Sequence, residues 1–169
     1  MFRFESLHIY STVRRISSYK SGLRKTKNMQ MASHNHNPST ITDSYWLYAF
    51  RKEGTYPEDS DNSGKWLIFV PLAEIDRLWE KIERSTEKGQ LGSVSKVATA
   101  KHNPDASNSS AKVICVYTYD WTERQDVMRI RKELRELGIT WKIPYKGDKD
   151  TYAGKYAKRG NRSISKYYE

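Results

Sequence analysis

Lys65-Trp66-Leu67-Ile68-Phe69-Val70-Pro71, followed by Leu72, Ile75, Leu78, Trp79 and Ile82, decides the fold. The first run is aromatic, aliphatic and β-branched, which suits a pleated, mostly buried strand. Pro71 stops it, because proline has no backbone N–H for a ladder. The apolar residues that follow recur at i, i+3, i+6, i+7 and i+10, one face of a 3.6-residue period. Asp76, Glu80, Lys81, Glu83 and Arg84 fill the remaining positions, and Gly89 and Gly92 end the helix. Trp79 falls on the apolar stripe and so belongs to the core.

The same pattern extends in both directions. Upstream, Tyr45–Phe50 reads as a strand, and the polar stretch through Pro57, Asp59, Asp61, Asn62 and Gly64 predicts a long-looped hairpin with the Trp66 strand. Tyr56 in that loop offers a ring that projects for stacking. Downstream, Val94–Ala100 and Lys112–Thr118 read as paired strands, the latter central because it is almost continuously apolar. The polar connection His102–Ala111 reads as a mobile loop. A second helix opens with Asp120 and Glu123 at capping-box spacing and presents Val127, Ile130, Leu134 and Leu137 on one face, with Gly138 as its stop. Arg124, Arg129, Arg131, Lys132 and Arg135 alternate with acids, which describes a solvated face. Thr140–Tyr145 gives a fifth strand, and a short strand near Ser163–Tyr167 extends the sheet. The order β-β-α-β-β-α-β, with one apolar stripe per helix, predicts an α+β fold. Both helices then pack on one face of a curved, mostly antiparallel sheet, and the other face is left for a ligand.

The chain has 169 residues and a formal net charge of +10, and the charge sits at its ends. Tyr45–Gly138 holds 15 basic and 15 acidic residues, residues 1–44 hold 7 against 2, and residues 139–169 hold 8 against 3. Residues 1–44 lack an apolar period and read as a disordered basic leader; residues 45–169 read as a single domain. The stretch Met1–Lys27 has the composition of a mitochondrial transit peptide, whereas Met31-Ala32-Ser33 reads as an ordinary cytosolic start. The preferred reading starts at Met29 or Met31 and gives a cytoplasmic or nuclear protein; a genuine transit peptide would make it mitochondrial. His34 and His36 lack a third ligand, so no metal is expected. Cys115 is the single cysteine and sits in an apolar run, which excludes an internal disulfide and any multi-cysteine zinc site. No stretch approaches the roughly 20 apolar residues that span a bilayer, and no membrane partner is expected.

Lys65–Pro71, Ile75-Asp76, Leu78-Trp79, Gly89, Leu91-Gly92, Lys96-Val97, Thr99, Val113–Thr118, Asp120, Pro144-Tyr145-Lys146, Asp148, Thr151-Tyr152, Gly154 and Tyr156 together resemble the basophilic leukaemia-expressed protein family. The resemblance covers most of Tyr45–Glu169. It implies a fold similar to the messenger-RNA cap-binding initiation factor 4E. That factor holds a methylated base between two tryptophans and uses acidic and basic residues for the base and phosphates. The one Trp-Glu pair here, Trp79-Glu80, lies on the first helix, so the resemblance carries the fold without cap binding. Lys96, Lys101 and Lys112 lie on the strand pair resembling the one that supplies phosphate contacts.

No catalytic constellation is legible: His102 is the one histidine of the body, and no glycine-rich phosphate loop or nucleophile–base pair occurs. Asp148 and Asp150 read as a turn between lysines. No cofactor is expected. The sequence predicts a non-enzymatic binding module for RNA or a nucleotide. Its candidate surface is basic and aromatic: Lys96, Lys101, Lys112, Tyr145, Lys146, Tyr152, Lys158, Arg159 and Arg162. Lysines would hold phosphates while tyrosines stack on bases. The alternatives are a protein-interaction adaptor without a nucleic-acid ligand and, third, a phosphoester-processing enzyme.

Overall fold

The computed structural model describes residues 37–103, 111–152 and 165–169. Among the described residues six strands form one antiparallel sheet: β1 Trp46–Phe50, β2 Gly64–Pro71, β3 Val94–Ala98, β4 Ala111–Thr118, β5 Pro144–Gly147 and β6 Ser165–Tyr168. Their spatial order is β1-β3-β4-β2-β5-β6. Helices α1 (Leu72–Glu87), α2 (Arg124–Glu136) and the short α3 (Asp148–Tyr152) complete the fold.

Strand alternation sends Trp66, Ile68 and Val70 of β2, Ile114 and Val116 of β4, Val97 of β3 and Tyr145 of β5 to one face. Ile75, Leu78, Trp79 and Ile82 of α1 and Val127, Ile130 and Leu134 of α2 cover that face, so both long helices lie on the same side, as their stripes predict. Leu137, expected in the core, is partly buried at its margin. Cys115 is buried, on the opposite face from this core.

Three expectations change. The Trp66 strand does not form a hairpin with β1: β1 pairs with β3, while β2 lies between β4 and β5. The connecting loop crosses the end of the sheet instead of turning back. Lys52 and Glu53 donate their amides to Glu87 O at the end of α1, and Ser60 N donates to Tyr119 O beyond β4. Close passage there requires Gly89, at φ 75°, where a Cβ would collide with the Glu53 carbonyl oxygen of the loop. The fifth strand starts at Pro144, later than Thr140, because the Ile139 and Trp141 carbonyls are taken by the Arg131 guanidinium and not by a ladder. Asp120 does not cap α2. Its carboxylate accepts from Thr122 N at 2.8 Å, Thr122 Oγ1 at 2.6 Å and Ser60 Oγ at 2.7 Å, fixing the turn before the helix.

The folded unit also reaches back past Tyr45. A 3-10 turn, Pro38–Thr40, docks on α1 as Ser39 N and Oγ donate to Asp76 at 2.9 and 2.5 Å, and Ala100 N donates to Pro38 O at 2.8 Å. The rest of the leader, residues 1–36, lies outside the described residues, as does most of the 102–111 loop. Among the described residues no helix is long and apolar enough to cross a membrane.

Candidate ligand-binding face

The alternation that builds the core leaves the other face of the sheet uncovered by α1 and α2. It carries Trp46, Tyr48 and Phe50 of β1, Val94 and Lys96 of β3, Val113, Cys115 and Tyr117 of β4, Lys65, Leu67 and Phe69 of β2, and Lys146 of β5. The register sets Tyr48 against Lys96, Lys96 against Cys115, Lys65 against Tyr117 and Lys65 against Lys146. Val94, Cys115 and Tyr117, with Leu67 and Val113, make a small apolar floor.

Cations and ring faces alternate across this floor. Lys96 Nζ stands 4.0 Å from the Trp46 ring centroid and 5.9 Å from that of Tyr117, and Lys65 Nζ stands 5.1 Å from Tyr117. Beside them the Tyr48 and Phe50 rings stack at 6.1 Å, 13° apart in plane, each 38% exposed. At the far end, Lys65 is ion-paired with Asp148, whose second oxygen accepts from Ser63 Oγ at 2.9 Å. Burial, then the neighbouring Lys65, pulls the Lys146 ammonium below its ordinary range. Burial, then the charges of Asp148 and Glu58, pushes the Asp59 carboxyl up to about 6. The face thus combines positive charge, flat rings and a desolvated acidic corner, a chemistry suited to a planar group carrying phosphate.

The raised Asp59 pKa sets a pH dependence of stability. The folded protein keeps this proton up to about pH 6, while the unfolded chain releases it near 3.8. Native Asp59 binds more protons across that window, so its contribution falls as pH rises from about 4 to 6 and stays low above. Asp59→Asn should raise thermal stability at pH 7, by on the order of 1 kcal/mol once solvent screening is discounted. Melting curves at pH 4 and pH 7 check this: the gain should be confined to the higher pH.

The residues singled out from sequence divide. Lys96 and Lys146 lie on this face. Lys112 does not: it sits opposite Val70 on the helix-covered side, and its Nζ donates to Lys101 O at 3.4 Å. Lys101 lies past the end of β3, where its Nζ donates to Asp43 O at 3.0 Å and stands 4.1 Å from the Tyr45 ring. Tyr145 is 0% exposed, edge-on to Trp66 at 5.2 Å, with its hydroxyl 2.6 Å from Thr118 Oγ1. It is a core residue and offers no stacking surface, because the one-residue step from Lys146 turns it to the helix side. Tyr56 is likewise tied down, donating to Asp126 and lying edge-on to Tyr119 at 5.4 Å. The Tyr152 side chain, Lys158, Arg159 and Arg162 lie outside the described residues. Sequence reasoning missed Lys65, Tyr117, Tyr48 and Phe50. The signal was the period of two: Lys65 shares its parity with Leu67 and Phe69, away from Trp66 and Ile68.

The sequence profile of the family described as basophilic leukemia-expressed protein Bles03 matches residues 60–154, more than half of the chain. This protein belongs to the Bles03 family. The matched span runs from the loop before β2 to just past α3, so it includes Lys65, Lys96, Tyr117 and Lys146 and leaves out β1 and β6. The fold of this Bles03 member is similar to that of eIF4E. A schistosome eIF4E complexed with m7GpppG and 4E-BP is 18% identical, with a TM-score of 0.57 over 93% of this chain and 81% of that one. The complex with m7GpppA and 4E-BP is 17% identical, with a TM-score of 0.58 over the same shares. At such identity the likeness is one of fold.

Proposed function

We propose that this protein is a non-enzymatic binding module for single-stranded RNA or a nucleotide, engaged on the face of the sheet that α1 and α2 leave uncovered. The observation that carries the reading is the row Trp46, Lys96, Tyr117 and Lys65 beside the stacked, exposed Tyr48 and Phe50. Lysines supply salt-sensitive attraction to phosphate, and rings supply faces that accept any base. The schistosome eIF4E complexes add support, since the same fold there accommodates m7GpppG or m7GpppA.

Fluorescence polarisation of a fluorescein-labelled decauridylate, at two salt concentrations, tests it. Lys96→Ala should weaken binding and flatten the salt slope by about one phosphate equivalent. Tyr48→Ala should weaken binding by about 1–3 kcal/mol with the slope unchanged. Absence of binding at low salt would sink the reading.

A second reading, a protein-interaction adaptor, is favoured by a separate observation. A groove of about 380 Å³ is lined by Phe69, Pro71, Leu78, Leu137 and Trp141 together with Glu74, Arg77 and Lys81, and its Phe69 and Trp141 are exposed. The 4E-BP bound in the schistosome structures adds support for a protein partner on this fold. Association through the apolar rings of this groove would depend on salt far less than phosphate binding does, which separates the two readings.

A further inference from the structure

We propose that Lys65, Lys146 and Ser63 form an oxyanion subsite at the end of the cation–ring row, and that the Asp148 carboxylate occupies it as a tethered stand-in until a ligand phosphate displaces it. This rests on the binding-module reading and names the part of the face that takes the phosphate.

Lys65 and Lys146 face each other directly across β2 and β5. Like charges at opposed cross-strand positions repel, and both residues are only 8% exposed, so little water screens them. An anion is needed between them. Asp148 supplies it on the Lys65 side, where one oxygen pairs with Lys65 Nζ and the other accepts from Ser63 Oγ at 2.9 Å; Asp150 and then Asp148 are the carboxylates that act on Lys146. Two acceptor oxygens held by an ammonium and a hydroxyl are also what a phosphate presents and receives, with one more oxygen and more charge. The subsite continues the row already described, since Lys65 lies over the same Tyr117 ring that Lys96 approaches from the other side. A ligand stacked over the rings therefore directs its phosphate toward Lys65.

The stand-in is carried on an element that can yield. Asp148 opens α3, five residues long, attached beside the subsite through Asp148 N to Ser63 O at 2.8 Å, a 3.5 Å pair between Asp150 and Lys166 of β6, and a 3.9 Å pair between exposed Lys149 and Asp61. Short elements held by few buried contacts open at low free-energy cost. Displacement releases the carboxylate from Lys65 and Ser63, while the phosphate takes over the two ammonium groups.

The test compares wild-type protein, Asp148→Asn and the double variant Lys65→Met/Asp148→Asn with the labelled decauridylate at low salt. Asparagine keeps the shape and an acceptor for Ser63 while removing the competing charge. Asp148→Asn should bind about tenfold more tightly and with a steeper salt slope, and Lys65→Met should cancel the gain. Wild-type binding with no gain in Asp148→Asn overturns the subsite and leaves the module standing; no binding by either protein overturns both. Should Asp148→Asn fail to fold, titration of the wild type with inorganic pyrophosphate, followed by amide NMR, decides. Joint movement of the Ser63, Lys65, Lys146 and Asp148 resonances supports displacement, and shifts confined to other residues refute it.

Discussion

Trp66→Ala is expected to cost about 3–5 kcal/mol of folding free energy, enough to unfold most molecules of a marginally stable domain. Trp66 has no exposed surface, sits at the middle of β2 between β4 and β5, and meets the Tyr145 ring edge-on at 5.2 Å and the Tyr167 ring at 6.3 Å. Its Nε1–H donates to Val127 O at 3.3 Å, in the first turn of α2. One side chain therefore joins the sheet centre to the second helix and to β6. Alanine would leave a cavity bounded by strands on three sides, which cannot collapse without shifting register. Trp66→Phe keeps most of the ring contact and loses the hydrogen bond and part of the volume, so it should cost less than half as much. Urea unfolding checks both: the midpoints should fall in that order while the slope, which reports exposed area, stays constant.

Trp66 also shows what was readable from the chain alone. Its run and the stripe after Pro71 are local patterns, fixed by a period of two and then of 3.6, and a local pattern survives into the fold. The same holds for Val127, Ile130 and Leu134, and for the placing of both helices on one side. Strand adjacency is different. Nothing within Tyr45–Phe50 says that it pairs with Val94–Ala98 and not with the strand that follows it in sequence; the close approach of the loop at Gly89 and its contacts at Glu87 and Tyr119 accompany that choice. The candidate site suffered from the same limit. Charge and tyrosine density point to Ile139–Glu169, but density ignores parity and puts buried Tyr145 together with Lys146, its neighbour on the opposite face. Lys65 and Tyr117, drawn from segments about fifty residues apart, become partners only through register. Lys112, singled out because its strand pair resembles the one that supplies phosphate contacts, lies opposite Val70 on the helix-covered face, since alternate residues of a strand face opposite ways.

Arg131 is where a sequence pattern misled most, and its replacement is the second large expected effect. Surrounded in sequence by Arg129, Lys132 and Arg135, it looks like one more solvated cation, yet it has no exposed surface. Its Nη1 donates to Ile139 O at 2.8 Å, Nη2 to Trp141 O at 2.7 Å and Nε to Glu169 O at 3.2 Å. Burial, and then the charge of Arg135, pulls its pKa below the usual guanidinium value. A forked, planar donor is the group that can serve three carbonyls lying in different directions, so it fastens the segment after α2 and the end of β6 to one helix. Arg131→Met fills much of the volume but leaves those carbonyls without their donor, and should destabilise by about 2–4 kcal/mol. Arg131→Lys, with a single ammonium, should recover only part of this. The distinguishing readout is local. Ile143 and Glu169 exchange main-chain hydrogen bonds, N to O at 2.6 and 3.2 Å, next to the fork. Their amides should lose hydrogen-exchange protection in Arg131→Met by more than the global loss accounts for, while the Ile114 and Val116 amides at the sheet centre should follow the global change. Uniform loss across all four amides would show that Arg131 adds to general stability without serving as the clasp of β6.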